Sequence, residues 1–459
     1  MKNNTMNKWT TITITLIIIF TALSPSITAS EPHSVYGYLY INDKLAPSGV
    51  MIRLRFPDIC VIGVTDYSGY YQIDFSGFDG ETGNFIISYS EELYIPIDNQ
   101  SVYIDPNITN YNIDLHIKVI PSIVYVDDDF NITTPGWQID FFDKIQDGIN
   151  AVNQSGSVFV YNGSYYENIV INKTINLIGE DNKNTIIDAA GNGDVIFISS
   201  DKVNISGFKI KNANDSDNAG ISISSNNNII MNNNIVNNSC GIYLQYSSHN
   251  YIWKNNIENN FIGIATWFSC CDYNIFIENE LLNNTGGICL TESKNCQIID
   301  NIIRGDNSTP MSGGIMIQEF SINNEIIGNS ISNYEFGIFL CSSINTVIKG
   351  NNIFSNSRFG LFLQHCSVNN NITRNNFINN GYEKTFKIRG NAFFIDSEFT
   401  PYFNKWNENY WDNWIGLKFK LFSFFPCRIP GRWGIIQGIG ILFPTSDFDR
   451  HPAKEPYDI

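Results

Sequence analysis

The chain is 459 residues long, more than one ordinary compact domain accommodates, so two or three folding units are expected. A formal net charge of −17 at pH 7 and a pI near 4.7 argue against nucleic acid and anionic lipid as partners, because both would be repelled. The acidity is dispersed, with Asp127-Asp128-Asp129 its only tight run, and reads as a solvated surface rather than a charge-specific site.

Residues 1–30 have the composition of an export signal. Lys2 and Lys8 precede an uncharged run from Trp9 with its apolar centre at Leu16-Ile17-Ile18-Ile19-Phe20, and small residues offer cleavage near Ala29 or Ser30. That centre is short of the roughly 20 apolar residues a membrane span needs, and no later segment reaches that length. The mature chain is therefore expected to have no transmembrane helix and to be secreted or held at the cell surface. About a dozen Asn-x-Ser/Thr sequons, including Asn107, Asn131, Asn162, Asn237 and Asn371, agree with that location, although an asparagine-rich chain makes them by chance.

From residue 31 to 120 apolar and polar residues alternate at period two, as in Val35-Tyr36-Gly37-Tyr38-Leu39 and Ile113-Asp114-Leu115-His116-Ile117. This is the pattern of a small antiparallel β-sandwich. Val64-Thr65-Asp66-Tyr67-Ser68-Gly69-Tyr70-Tyr71 holds a Ser-Gly hairpin turn; with Gly37 and Gly49-Val50 it resembles the carboxypeptidase-regulatory-like, prealbumin-type accessory module of exported proteins. The resemblance implies that Thr65, Asp66 and Gly69 shape a turn and catalyse nothing.

Residues 121–395 carry the most informative pattern. Phe142 to Val152 has apolar residues at helical spacing, suited to covering the open end of a stack of coils. Gly163-Ser164-Tyr165-Tyr166-Glu167-Asn168, Leu177-Ile178-Gly179-Glu180 and Thr185-Ile186-Ile187-Asp188 follow. From Gly220 a Gly-apolar-x-apolar phrase then recurs at Gly241, Gly263, Gly287, Gly314, Gly337 and Gly360, a mean step of about 23 residues, one solenoid turn. Between the glycines lies Asn-x-apolar-x-Asn, as in Asn255-Asn256-Ile257-Glu258-Asn259. Stacking predicts an inward apolar ladder of Ile235, Ile257, Leu281, Ile303, Ile331, Ile353 and Phe377. It also predicts an amide ladder of Asn233, Asn255, Asn279, Asn301, Asn329, Asn351 and Asn375, each donating to one neighbour and accepting from the other. The order of these segments resembles the pectate-lyase-like right-handed β-helices, and within them the NosD-like proteins, named for a copper-binding accessory protein. The fold class expected is all-β: a right-handed parallel β-helix of roughly ten coils, a single-stranded solenoid, preceded by the sandwich.

Residues 396–459 break the pattern. Asn404-Lys405-Trp406-Asn407-Glu408-Asn409-Tyr410-Trp411 is aromatic-rich, resembles the endings of archaeal exported β-helix proteins, and is expected to cap the last coil. The chain holds nine cysteines without a Cys-x-x-Cys pair, and most lie inside the repeats, where they read as packing residues rather than bridges.

Enzymes on this fold work in a groove along one outward sheet face. Counting from each glycine, the outward fourth position reads Ser224, Gln245, Trp267, Thr291, Gln318, Cys341 and Gln364, and the second reads Ser222, Tyr243, Ala265, Cys289, Met316, Phe339 and Phe362. Rings beside amides suit sugar binding, which makes Tyr243, Gln245, Trp267, Gln318 and Gln364 the candidate substrate-binding residues. Glu292 and Glu319, at the fifth position, are the best candidate for a paired-carboxylate site, though no Arg or Lys shares that position on adjacent coils and the insertion Gly305 to Ser312 threatens their register. No His-x-His or Met-x-x-Met run supports copper, and no cofactor or metal is expected. The sequence favours a non-catalytic, exported scaffold for glycans or cell-envelope proteins. A polysaccharide lyase, glycosidase or epimerase using Glu292 and Glu319 stands second, and NosD-like copper delivery third.

Overall fold

The computed structural model describes residues 32–41, 44–90, 93–117, 120–267, 270–306, 311–383, 389–396, 404–413, 427–433 and 443–459. Residues 1–30, expected to be an export signal, lie outside them. The chain divides into two compact units, Met1–Ile117 and Lys118–Ile459.

Two small sheets build the first unit. His33–Ile41 is the hub of one: it pairs antiparallel with Lys44–Leu45 and Tyr70–Phe75, and parallel with Asn110–Asn112 and Leu115–Ile117. The other is antiparallel throughout, in the order Cys60–Val64, Met51–Arg55, Thr82–Ser90, Leu93–Tyr103. The two parallel strands depart from the antiparallel pattern expected of this region; the Tyr71 hydroxyl pins the break between them by donating to the Ile113 carbonyl at 2.7 Å. The period-two code works as physics requires, with Val35, Leu39, Ile52, Leu54, Ile73 and Ile87 buried. At the hairpin, Asp66 Oδ1 accepts from Ser68 N (2.8 Å), Ser68 Oγ (2.7 Å) and Tyr70 N (3.1 Å), and Gly69 takes the left-handed φ of +74° that the turn demands. Those bonds, that from the Ser68 hydroxyl first, hold the Asp66 carboxyl below its usual range.

The second unit is a right-handed parallel β-solenoid. Each coil contributes one strand to each of three sheets: Ile229–Met231, Asn234–Val236 and Cys240–Gln245 make one coil. Equivalent strands pair in parallel from coil to coil, giving sheets of 13, 11 and 12 strands. Ile235, Ile257, Leu281, Ile303, Ile331, Ile353 and Phe377 are in register and fully buried, as expected, and Trp411 extends the column by stacking on Phe377 at 4.4 Å. The insertion after Gly305 leaves the third sheet undisturbed, since Ile288 pairs with Ile315 and Thr291 with Gln318. Lys405–Asn407 and Tyr410–Trp411 continue the first and second sheets, so the solenoid runs past residue 395 and these tryptophans are core rather than cap. The chain then adds a hairpin, Cys427–Trp433 with Phe443–Asp449, to the end of the third sheet.

The repeated glycine is explained by crowding, not by backbone conformation. Neighbours pair at Ala219–Cys240 and Ile221–Ile242, skipping the glycine, so the chain kinks inward there. A Cβ would lie 2.8 Å from the next coil's carbonyl oxygen at Gly220 and Gly263, and 2.6 Å at Gly337. None of these glycines has a positive φ. Any side chain would push two coils apart and break the ladder bonds on both sides.

Three amide ladders, not one, hold the corners. In the predicted column Asn279 Nδ2 donates to Asn301 Oδ1 (3.0 Å), Asn301 Nδ2 to Asn329 Oδ1 (2.9 Å) and Asn351 Nδ2 to Asn375 Oδ1 (2.9 Å), and each oxygen also takes the preceding asparagine's backbone N–H. A second column runs through Asn228, Asn250 and Asn274, with Cys296 and Thr346 as substitutes further along; a third begins Asn238, Asn260, Asn284. The predicted column ends at Asn409, whose N and Nδ2 donate to Asp449 Oδ2 at 2.9 and 3.0 Å, joined by Trp411 Nε1 at 3.1 Å. An asparagine at the end would still need an acceptor, whereas a carboxylate only accepts, so Asp449 closes the run. At the opposite end the helix Ile145–Ala151 packs Ile145 and Ile149 into the core, as its spacing predicts. Its first amides, Ile145 N and Gln146 N, donate to Glu167 at 2.8 and 3.0 Å. The Glu-Asn motif is thus a structural cap.

Candidate functional site

The third sheet and the corner that follows it hold every residue the sequence nominated. Its second-position column points outward in the predicted register, from Ser222 through Tyr243, Ala265, Cys289, Met316 and Phe339 to Phe362. This column is not open to solvent. Ser222, Ala265, Cys289 and Phe362 are only 5%, 3%, 9% and 7% exposed. Tyr243 is half-buried, and burial pushes its hydroxyl up to about 12. The reason is the kink at each glycine, which turns the preceding residue outward as well. At the C-terminal coils these extra outward residues are Phe336 and Phe359, which stack with Phe362 and Phe393 at centroid separations of 5.2 to 6.3 Å. Where the preceding residues are Gly286 and Gly313, Met316 folds into the slot they leave.

Exposure returns two to four residues later, at the corner. Trp267 is 51% exposed, Tyr246 57% and Phe320 68%. Glu292 and Glu319 occupy equivalent left-handed corner positions, φ 49° and 53°, on consecutive coils; Glu292 N donates to Gln318 O at 3.2 Å. Coil spacing of about 4.8 Å puts them within the range of a carboxylate pair. Neither side chain has a hydrogen-bond or ion partner among the described residues. Gln245 and Gln318 lie half-exposed beside this corner, each paired along the third sheet, Gln245 with Trp267 and Gln318 with Thr291. Gln364 is engaged with its neighbour, its Nε2 lying 2.9 Å from His365 Nε2. The same edge continues with His249 and Tyr273, stacked at 5.0 Å, and an exposed amide row in which Asn369 donates to Asn345 (2.8 Å) and Asn345 to Asn323 (3.1 Å).

The structure therefore brings Trp267, Gln245, Gln318, Glu292 and Glu319 to one solvent-facing edge, and sets Tyr243 below it. Counting from the glycine missed Tyr246, Tyr273 and Phe320. For Tyr246 and Phe320 the signal was present, at the fifth and sixth positions after the glycine, where the sequence was read for carboxylates alone; Tyr273 lies ten residues after Gly263, outside that count. The edge holds Glu292, Glu319 and Asp272 against Lys294, so its balance is acidic.

The cysteines are free thiols wherever they are described, from Cys60 to Cys366. Cys271 and Cys296 are fully buried, and Cys296 fills a corner-asparagine position.

Two family models match the sequence: "Right handed beta helix region" over residues 173–318, and "Periplasmic copper-binding protein (NosD)" over residues 263–416. No curated protein matches. Among solved structures, the chain is similar to the Dettilon tailspike protein gp208 at 14% identity and TM-score 0.44, covering 60% of this chain and 58% of that one. It thus spans less than two thirds of that tailspike's length. The Azotobacter vinelandii mannuronan C-5 epimerase AlgE6 A-module matches at 12% identity and TM-score 0.37, covering 57% of this chain and 92% of that one. The catalytic domain of a GH87 alpha-1,3-glucanase in complex with nigerose matches at 10% identity and TM-score 0.34, covering 83% and 79%. These likenesses are of fold alone.

The copper in the second family description finds no fitting donor set among the described residues. The one group of three His, Cys, Asp or Glu ligand atoms within 4.8 Å of one another is Asp127-Asp128-Asp129, hard oxygen donors outside the matched span. Cys289 and Met316 are neighbouring rungs, but burial pushes the Cys289 thiol up to about 11 and Met316 lies over Gly286 and Gly313. A thiol held protonated is a poor ligand. No helix among the described residues is long and apolar enough to cross a membrane.

Proposed function

We propose that this protein is an exported, non-catalytic scaffold that binds uncharged glycans along the corner after the third sheet. The carrying observation is the row of exposed rings, Tyr246, Trp267 and Phe320, interleaved with Glu292, Glu319 and Gln318. Rings stack on pyranose faces, and carboxylates and amides bond hydroxyls. The acidic balance of the edge disfavours uronates, which need basic partners. In this reading residues 1–30 direct export, the chain works outside the cell or at its surface, and the first unit serves as a prealbumin-type accessory module.

The test is a glycan array beside a reducing-sugar and unsaturated-uronate release assay. Binding to neutral polysaccharides, weakened about 10-fold or more by Trp267→Ala and not accompanied by release, supports the reading. Release abolished by Glu292→Gln or Glu319→Gln would replace the scaffold with an enzyme. Binding confined to uronate polymers would also overturn it.

A further inference from the structure

The first sheet has an outward face that neither the glycan reading nor the packing of the solenoid uses. From Asn204–Ser206 onward its strands are three residues long, with the middle residue inward and the outer two facing solvent. One outward row reads Met231, Trp253, Ile277, Ile299 and Ile327 on consecutive coils. The other begins Ile229, Tyr251 and Ile275, and Ile229 is 37% exposed. Eight of the ten outward positions on these five coils are apolar; the other two, Gln297 and Glu325, bond each other at 2.7 Å, and at the edge Trp253 Nε1 donates to Glu278 at 3.3 Å with the Lys254 ammonium 4.7 Å over its ring. Polar residues bound this strip at both ends: Asn204 and Ser206 before it, Lys349, Asn371 and Thr373 beyond it. An apolar centre with a polar rim is the anatomy of a protein interface, not of a sugar platform, because isoleucine offers sugars nothing.

We infer that this face joins two copies of the chain, related by a twofold axis that passes between the strands Ile275–Ile277 and Gln297–Ile299 and sets the two solenoids antiparallel. Area and chemistry both argue for a second copy. Ten strands, from Asn176–Gly179 to Lys405–Asn407, oppose their counterparts across this axis and at about 4.8 Å run for about 45 Å. A width of about 15 Å then gives about 700 Å² per partner, about 1,400 Å² in all, within the range of specific interfaces. The axis opposes like with like along the polar rim: Asn204 meets Asn371 and Ser206 meets Thr373. At the centre Ile277 meets Ile299 and Trp253 meets Ile327. From Asn204 to Asn407 the outward positions hold three charges, Glu325, Lys349 and Lys405, and none meets a like charge. Glu325 faces Tyr251, whose hydroxyl donates to it, and Lys349 lays its stem over Met231. A twofold along the solenoid axis would instead set Glu325 against Ile327 and leave Gln297, whose Nε2 donates to it at 2.7 Å, as its one side-chain partner among the described residues. Such an isologous contact closes at two copies.

Sedimentation velocity of the full chain at concentrations up to about 100 µM tests this. A dimer is expected for the wild type. Ile277→Lys and Ile299→Glu, both at outward positions, should each weaken it at least tenfold while leaving the circular dichroism and unfolding midpoint of the monomer unchanged. Mixed together, the two variants should form a one-to-one heterodimer, because the new ammonium of one copy then meets the new carboxylate of the other. Trp253→Ser provides a further variant that adds no charge. A wild type monomeric throughout, dimers that survive both charge substitutions, or variants that fail to pair when mixed would each overturn the inference. So would cosedimentation of the wild type with phosphatidylcholine vesicles lost in Trp253→Ser, which would give the face to lipid. Glycan binding through Trp267 is independent of this result, so failure of either reading leaves the other measurable.

Discussion

Replacing Asn301 by aspartate tests whether the corner ladders have a direction. Asn301 is 1% exposed. Its Nδ2 donates to the carbonyls of Phe276 and Ile299 and to Asn329 Oδ1, all at 2.9 Å, while its Oδ1 accepts from Asn279 N and Nδ2 at 2.9 and 3.0 Å. Asn301→Ala orphans one buried N–H and removes several amide bonds, for a cost of about 3–5 kcal/mol. Asn301→Asp keeps the accepting oxygen but points a second one at three oxygens. A buried carboxylate with one oxygen facing only acceptors costs more than the alanine, so Asp should be less stable than Ala at pH 7. Its folded pKa must then lie above the unfolded value, so the variant binds more protons when folded and recovers stability as pH falls through that raised value. At Asp449 the same swap runs the other way. Oδ2 takes three donors and Oδ1 takes His451 N at 3.1 Å, so Asp449→Asn must point an amide at a donor and lose about 1–2 kcal/mol. Urea unfolding followed by tryptophan emission, with hydrogen exchange over residues 270–335 to localise the damage, measures both. An Asn301→Asp chain as stable as Asn301→Ala at pH 7, or an unaffected Asp449→Asn, would refute a directional ladder.

Three further outcomes follow from the same geometry. Gly337→Ala places a Cβ 2.6 Å from the Gly360 carbonyl and 2.8 Å from Ile353, and should cost about 2–3 kcal/mol in chemical denaturation even though φ there is ordinary. Burial raises the Glu167 carboxyl above its usual range, so the folded chain holds that proton more tightly than the unfolded one. Its contribution to stability therefore falls as pH rises from the ordinary glutamate range through the raised value, and Glu167→Gln should flatten that part of the stability–pH curve while loosening the helix it caps by about 1 kcal/mol. Iodoacetamide at pH 8, read by peptide mass, should label exposed Cys270 in the native protein and spare Cys289 and Cys296, whose thiols burial pushes up to about 11 and about 12.

The solenoid was legible because stacking forces each coil to repeat its neighbour's chemistry. Ile235 to Phe377 and Asn233 to Asn375 could be aligned by eye, and their pairing follows from that register. Of the other two ladders, one was visible as a column of Asn228, Asn250, Asn274 and Asn324 with Cys296 in an asparagine's place but was not read as a bonded ladder, and Tyr334 interrupts the other; at Cys296, Thr346 and Tyr334 the backbone N–H still finds the next asparagine's oxygen. The site was legible in position but not in exposure. Alternation correctly sent Tyr243 and Cys289 outward, but it cannot show that a kink beside each glycine adds a second outward residue to crowd them. Asp449 was out of reach altogether, 40 residues beyond the asparagine it serves. In the first unit, period-two alternation identified strands but could not say that Asn110–Asn112 and Leu115–Ile117 run parallel to His33–Ile41.

A stack of identical coils is, in principle, a filament of no fixed length, since its last coil offers the same unpaired backbone and the same hungry amide as every coil before it. Asp449 ends that growth with a group that has nothing left to give: it satisfies Asn409 and carries no proton with which to welcome another coil. One carboxylate, delivered by a strand that turns back antiparallel at the end of the third sheet, thus gives the central amide column a last rung instead of an open one.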